Sequence, residues 1–379
     1  MSIKQVSNKK VFFVAGELSG DKLGAWYVNK LRKESEIEVS AVGGNFLKAA
    51  GATLYDRLEK LNVVGLIEII KNIKFLLRFL SDLTKHILDN NFDEVVVVDF
   101  PGFNLRLMKK IKKIKPEIKI TYLSPPQLWA WGERRIKTIK KYCDEVIVLY
   151  PFEVEWYKKR GVYARWLGYP FLDKVSEFCG QNIEKKNHIA IMPGSRSIEI
   201  KRLLPLFLKV INRFKLLYPN VKIFLPLAES VDKEQVERIL RKSGSSRWGK
   251  DITIVCGQKE KLKVLSSCCL ALTKPGTVTL ELALLSVPAV VAYKAPWITY
   301  FIAKLLVKIK YMALPNLLLK DPVYPEFIQS DCKEDKILKS LKSLYFPPGK
   351  NSANFEKAYQ EVANGMLELK KELSQHGSI

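Results

Sequence analysis

The 379-residue sequence predicts an α/β protein built as two consecutive doubly wound, Rossmann-like domains facing a central cleft. Three observations carry that prediction. Short apolar runs alternate with longer segments of helical period. Glycine-bearing loops follow several of those runs. A polar, aperiodic stretch at 180–187 (GQNIEKKN) divides the chain into two such series. The expected division is a first domain over 1–179, a second over 188–345, and a closing helical segment over 346–379 that packs back on the first domain.

In the first series, VFFV at 11–14 reads as a buried strand, and the loop at 16–20 leads into a helix over 21–32. Further strands are expected at 39–42, 94–99, 118–123, 145–149 and 163–166. The second series places strands at 189–192, 221–226, 252–255, 270–273 and 289–292, with helices at 198–217 and 233–242 between them. A charged segment at 354–373 closes the chain as a helix. Ligands of such sheets bind beyond the carboxyl ends of the strands, so the residues just after each strand are the ones to weigh.

Five segments qualify. AGELSGDKLGA (15–25) follows the first strand. Gly16 and Gly20 permit tight turns and close backbone approach, Ser19 or Asp21 suits a helix cap, and Glu17 exceeds what a turn requires. VVVVDFPGFN (95–104) ends a buried strand on Asp99, where a carboxylate can serve as a general base. SPPQLWAWGERR (124–135) carries Trp129 and Trp131, which can stack on a sugar or fill a core. MPGSRSIEIKRLLP (192–205) opens a helix with Gly194, Ser195 and Arg196, a combination of amides, hydroxyl and guanidinium suited to an anion. KPGTVTLELALLSVPAVV (274–291) repeats that arrangement with Gly276 and Thr277. Glu281, one turn on, can accept two hydroxyl hydrogen bonds from a ribose or simply favour the helix dipole.

Composition narrows the classes. Hydrophobic residues make up 47% of the chain, enough for two cores. The net charge of +24 suits a polyanion, an anionic lipid surface, a phosphorylated substrate, or only a lysine-rich solvated surface. Six cysteines without a C-x-x-C pair suggest neither a zinc site nor a disulfide scaffold, and a reducing compartment is expected. His86, His188 and His376 are scattered and no Asp-x-Asp pair occurs, so no metal site and no cofactor are expected. The polar start is not a secretory signal, and no stretch of about 18 uncharged apolar residues suggests a spanning helix. The segment 66–88 reads as one amphipathic helix with Leu66, Ile70, Ile73, Leu77 and Leu80 facing the core. Its other side carries Ile67, Phe75 and Phe79 among Lys71, Lys74 and Arg78, a mix that suits contact with an anionic membrane surface.

Taken in order, these segments resemble the lipid-A-disaccharide synthases, glycosyltransferases of family 19. AVGGNFLKAAG (41–51), VVGLIEII (63–70), PFE (151–153), GYPFLD (168–173), GTVTLE (276–281) and PNLLL (315–319) complete the set, nearly end to end. Gly102, Tyr169 and Pro275 depart from the family's usual acid, histidine and small residue. The resemblance implies a GT-B fold and a metal-free, inverting transfer of 2,3-diacylglucosamine from UDP-2,3-diacylglucosamine to the 6-hydroxyl of 2,3-diacylglucosamine 1-phosphate (lipid X). It implies Asp99 as base with Glu17 assisting. Gly194, Ser195, Arg196, Glu199, Gly276, Thr277, Glu281 and Asn316 would hold the UDP-sugar, and Ser19, Gly20, Trp129 and Glu326 would line the acceptor side. It further implies a cytoplasmic protein bound peripherally to the inner membrane in lipid A biosynthesis, no nucleic-acid partner, and leaves a homodimer open. Two rivals stand beside it. One is another UDP-sugar enzyme of the same fold with a different acceptor. The other is a non-enzymatic basic protein binding membrane or nucleic acid, which explains the charge but not two phosphate-loop motifs.

Overall fold

The computed structural model describes residues 8–57, 73–168, 170, 175, 177–178, 183–228, 231–243, 252–296, 310–347 and 357–375. It divides into two compact units, Met1–Pro170 and Phe171–Ile379.

The first unit is a seven-stranded, all-parallel sheet in the order β3-β2-β1-β4-β5-β6-β7. Its strands are β1 (Lys9–Ala15), β2 (Ile37–Gly43), β3 (Thr53–Arg57), β4 (Glu94–Val98), β5 (Lys119–Leu123), β6 (Glu145–Val148) and β7 (Ala164–Trp166). The four valines of β4 are wholly buried, because a central parallel strand is covered by helices on both faces. Val95 and Val97 join Phe12, Leu83 and Leu107 on one face, and Val96 and Val98 join Val11, Phe13 and Leu47 on the other.

The second unit is a six-stranded parallel sheet in the order β10-β9-β8-β11-β12-β13. It comprises β8 (Lys186–Met192), β9 (Lys222–Leu227), β10 (Ile252–Cys256), β11 (Cys268–Thr273), β12 (Ala289–Tyr293) and β13 (Glu326–Ile328). Both orders are Rossmann-like and reverse direction once, between β1 and β4 in the first unit and between β8 and β11 in the second. Chains leaving either side of such a reversal open a crevice at the carboxyl end of the sheet. The two anion-type loops of the second unit follow β8 and β11. AGELSG and DFPGF follow β1 and β4.

Two edge strands, β3 and β13, escaped the sequence reading. β3 alternates exposed and half-buried residues with polar side chains, and β13 has only three residues. The closing helix (Lys357–Gln375) packs within the second unit. Lys370 donates to Ser286 Oγ at 2.7 Å, Gly365 faces Val323, and Met366 Sδ lies 3.5 Å from the Tyr324 hydroxyl. No helix among the described residues is long and apolar enough to cross a membrane.

The helix Ile73–Asp89 keeps Leu80 of the expected stripe in the core but turns Leu77 outward. Phe79 is buried, packing on Phe103 at 6.1 Å and on Phe75 at 6.0 Å, while Leu77 is 54% exposed. Thus Phe79 belongs to the core, and the outward face carries Lys74, Phe75, Leu77 and Arg78. Ile67 and Lys71 lie outside the described residues. The physical reason is the neighbour: the helix Pro101–Ile114 offers Phe103 as an aromatic partner to Phe79, and with Phe79 turned inward Leu77, two residues before it, falls on the outer side.

Candidate active site

In the first unit the site begins with two acidic groups on one strand in opposite environments. Glu94 starts β4, at the amino end of the sheet. Burial would raise its carboxyl, yet Lys9 at 2.5 Å, Lys119 at 3.3 Å and a hydrogen bond from Thr121 hold it below the usual range. Asp99 follows the other end of the same strand and pairs with no cation among the described residues. Burial, then the charge of Glu17, push its carboxyl above the usual range, and the Phe100 amide only partly opposes them. The cation-held acid is structural; the elevated one is suited to accept a proton.

The backbone that presents Asp99 is strained and clamped. Asp99 and Phe100 both have φ of +46°, a left-handed conformation that costs non-glycine residues on the order of 1–3 kcal/mol each. Asp99 N donates to Leu123 O at 3.0 Å. Its carbonyl accepts from Asn104 Nδ2 at 2.7 Å and from the Tyr122 hydroxyl at 3.0 Å. Gly16 lies directly against the Phe100 ring, so the loop after β1 and the loop after β4 interlock. Gly20 packs closely on Ala15 and Val98, while Glu17 and Ser19 are exposed at the start of the helix Leu18–Glu34. Asp21 does not cap that helix. It is fully buried and accepts from the amides of Gly44 (2.8 Å), Phe46 (2.9 Å) and Leu47 (3.1 Å), fixing the start of the helix Asn45–Ala49.

Trp129 is half-buried and held. Its indole donates to Glu153 Oε1 at 2.7 Å, and the ring packs edge-on to Phe152 at 5.0 Å. Glu153 Oε2 also accepts from Tyr150 N (2.9 Å) and Leu149 N (3.2 Å), and burial pushes its carboxyl up to about 7 against these donors. Trp131 is the exposed tryptophan, with the Arg135 guanidinium 4.7 Å above it.

In the second unit Gly194 has φ of +142°, and a Cβ there would fall 2.4 Å from Glu199 Oε2. That close approach is the purpose of the glycine. Glu199 reaches back to accept from the amides of Ser195 (3.1 Å) and Arg196 (3.3 Å), the glutamate half of a capping box at the start of the helix Ser197–Leu217. Its other oxygen accepts from Lys274 Nζ at 2.8 Å. Burial would raise Glu199; Lys274 and the two amides outweigh it and hold the carboxyl low. Lys274 precedes Gly276, whose φ is +139°, at the start of the helix Thr277–Leu284. One ammonium therefore ties the two anion-type loops together. Lys274 is not among the site residues expected from the sequence, although a lysine two residues before a glycine-opened helix is an available signal. Arg196, Ser195 and Thr277 remain exposed at these loop tips.

Glu281 is buried and pairs with Lys261 at 2.5 Å, at an angle that leaves that oxygen without a hydrogen bond among the described residues. Asn316 is wholly buried and committed internally. It donates to Tyr324 O (2.8 Å) and Glu326 Oε1 (2.7 Å) and accepts from Tyr324 N (2.7 Å). Glu326, on β13 of the second unit, accepts from Met312 N and Ala313 N, both at 2.9 Å, at the start of the helix Leu314–Leu319. Burial leaves its carboxyl raised in spite of these amides. Asn316 and Glu326 thus form one joint, in the unit that carries the anion loops. Among the described residues, no three His, Cys, Asp or Glu side chains converge as a metal site requires.

Comparison with known proteins places this geometry. A family profile described as lipid-A-disaccharide synthetase matches residues 11–376. Lipid-A-disaccharide synthase 1 of Legionella pneumophila (strain Paris) is 31% identical over 375 residues, covering 96% of this chain and 93% of that one. Among solved structures, the UDP-GlcNAc 2-epimerase of Neisseria meningitidis bound to UDP-GlcNAc superposes with a TM-score of 0.60 at 14% identity, covering 97% of this chain and 100% of that chain. MurG of Acinetobacter baumannii does so with a TM-score of 0.55 at 14% identity, covering 97% and 99%. These structural likenesses show a shared two-domain GT-B type of fold.

Proposed function

The chain belongs to the lipid-A-disaccharide synthase family, glycosyltransferases of lipid A biosynthesis, and on that premise we propose that it transfers 2,3-diacylglucosamine from UDP-2,3-diacylglucosamine to the 6-hydroxyl of 2,3-diacylglucosamine 1-phosphate. Asp99 takes the proton of that hydroxyl, whose oxygen attacks the donor's anomeric carbon from the face opposite the diphosphate. The anomeric carbon–oxygen bond to the diphosphate breaks, UDP leaves, and the configuration inverts. Negative charge grows on the leaving diphosphate, so donors fixed beforehand contribute most there. The amides beside Gly194 and Gly276, with Arg196 and the hydroxyls of Ser195 and Thr277, fill that role. Glu199 and Lys274 position these donors. Glu281 exchanges its Lys261 pairing for the ribose hydroxyls. Ser19 and Trp129 line the acceptor side, the buried Gly20 lets the helix start pack on Ala15 and Val98, and Glu17 keeps Asp99 basic.

The single observation that carries this reading is Asp99: a carboxylate at the carboxyl end of β4, elevated by burial and a neighbouring acid, on a backbone held in a costly conformation. The outward Lys74, Phe75, Leu77 and Arg78 support docking on an anionic cytoplasmic membrane face, where each basic residue near the surface contributes about 1 kcal/mol. Vesicle binding that weakens as salt rises is the expected result, and salt-independent binding would contradict this docking.

The test of the reaction is UDP release from the purified protein given the donor in detergent micelles, with and without the acceptor, in EDTA. Acceptor-dependent release with a disaccharide 1-phosphate product is expected. Release that ignores the acceptor, or requires a different one, would move another UDP-sugar enzyme of this fold ahead.

A further inference from the structure

The second unit holds a cavity of about 450 Å³ that the mechanism above does not use. Arg202, Lys294 and Lys333 line it, with Ala295, Gln329 and Cys332. Arg202 lies six residues into the chain after Arg196, about 9 Å along its helix from the loop after β8. Lys294 and Ala295 follow β12, and Lys333 precedes the helix Glu334–Leu344. The wall is built rather than incidental. Gln329 is buried, accepts from Ala295 N at 2.6 Å and donates to Ala295 O at 3.1 Å, which pins the strand-end loop to the short turn after β13. Cys332 is wholly buried.

The charge is what sets this cavity apart. None of the three cations has an ion pair or hydrogen bond among the described residues. Several half-buried cations elsewhere are paired with acids, as Lys119 is with Glu94 and Glu145, Lys112 with Asp144, Lys261 with Glu281 and Lys274 with Glu199, and Lys185 is held by the carbonyls of Ser266 and Leu285. Asp331, the nearest acid in sequence, pairs with Lys336 at 2.5 Å and feels Lys333 only as a lesser charge. Three like charges around one concavity repel one another, a cost that a bound anion reverses. Glu199, Arg196 and Arg202 all act on the phenol of Tyr293, whose position at the end of β12 sets the cavity beside the anion loops.

We propose that this cavity binds a phosphate monoester carried on a sugar, at a site separate from the loops assigned to the donor diphosphate. The volume falls in the range of small-molecule pockets, roughly 300–1,000 Å³, and exceeds the need of a lone anion. Ala295, Pro296 and the lysine stems offer apolar surface to a sugar's carbon face, and the three cations that line the cavity attract its phosphate. The cavity and its unmatched charge stand on their own. The choice of a sugar phosphate over other phosphates rests on the proposed function, whose acceptor carries one.

The test is calorimetric titration of the full chain, already saturated with UDP, using glucosamine 1-phosphate in one arm and inorganic phosphate in the other. A Lys294→Met/Lys333→Met double variant should weaken glucosamine 1-phosphate binding by about 10- to 100-fold, with UDP affinity unchanged. Its melting temperature should hold or rise, since a repulsion has been removed. The proposal is overturned if the wild type fails to bind the sugar phosphate, if inorganic phosphate binds as tightly, if the double variant binds like the wild type, or if UDP affinity or the melting temperature falls with it. Because binding is read without turnover, failure of the UDP-release assay leaves this result standing, and the converse also holds.

Discussion

The interlock of Gly16 with Phe100 makes a sharp prediction. In Gly16→Ala, an ideal Cβ would lie 2.7 Å from Phe100 Cδ1 and 2.8 Å from Cγ. Unbonded carbons rest about 3.5–4.0 Å apart, so the ring must retreat by roughly 1 Å. Cγ lies one bond from the Phe100 Cβ, so flipping the ring cannot relieve the contact, and the displacement passes into the backbone. That backbone, with Asp99 next to it, already sits at φ of +46° at both residues. Misplacing a reacting group by about 1 Å costs on the order of 100-fold in rate, and overpacking typically costs about 1–3 kcal/mol of stability. Gly20→Ala is the control. Its nearest neighbours stand at 3.6 Å, an ordinary contact, and it lies in a helix where alanine is favoured by about 1 kcal/mol. The assay is acceptor-dependent UDP release, read with UDP affinity and melting temperature. Gly16→Ala should lose about 100-fold in kcat with UDP affinity intact, whereas Gly20→Ala should keep both and melt no lower. Wild-type turnover by Gly16→Ala, or equal losses in the two variants, would refute the reasoning.

Three other perturbations follow from the same geometry. Glu17→Gln removes a neighbouring charge that raises the Asp99 carboxyl; Asp99 must be ionised to act as base, so the acid limb of the kcat/KM profile should move to lower pH, and an unmoved limb would mean that Glu17 does not act on Asp99. Lys274→Met leaves Glu199 without its ammonium and should weaken UDP binding by about 10- to 100-fold. Because Lys274 holds the Glu199 carboxyl low, that pairing stabilises the fold above the unfolded-state pKa and is lost as pH falls through the folded one. The melting-temperature gap between this variant and the wild type should therefore close on acidification, and a constant gap would count against the pairing. Asn316→Ala should lower stability by about 2–4 kcal/mol in denaturant unfolding, since it strands the amide and carbonyl of Tyr324; a fully stable variant would show that those bonds contribute little.

How much of this was legible in the sequence depends on the length scale of each signal. β4 was plain, because four valines before an aspartate have one comfortable place in a parallel α/β sheet. The loops at Gly194 and Gly276 were legible for the same reason: glycine, small hydroxyl and charge directly after a strand. What escaped depended on partners distant in the chain. Asp21 looked like a local cap, yet it serves amides more than 20 residues away. Glu326 looked like an acceptor-side group, yet its partners are the amides at 312–313 and Asn316. The helix at 73–89 has apolar residues around much of its circumference, so periodicity could not fix which stripe faces inward, and Phe103 decided it. The cavity of Arg202, Lys294 and Lys333 gathers three segments spanning more than 130 residues, and no local pattern announces it.

The most direct measurement is UDP release in a single turnover by Asp99→Asn, with enzyme in excess over donor and acceptor present, beside a titration of the same variant with UDP. An uncharged isostere removes the base and leaves the second unit untouched. The account predicts UDP affinity equal to the wild type and release slowed by about 100- to 10,000-fold. Near-normal release by Asp99→Asn would contradict it, and the proton of the attacking hydroxyl would then have to go to another group.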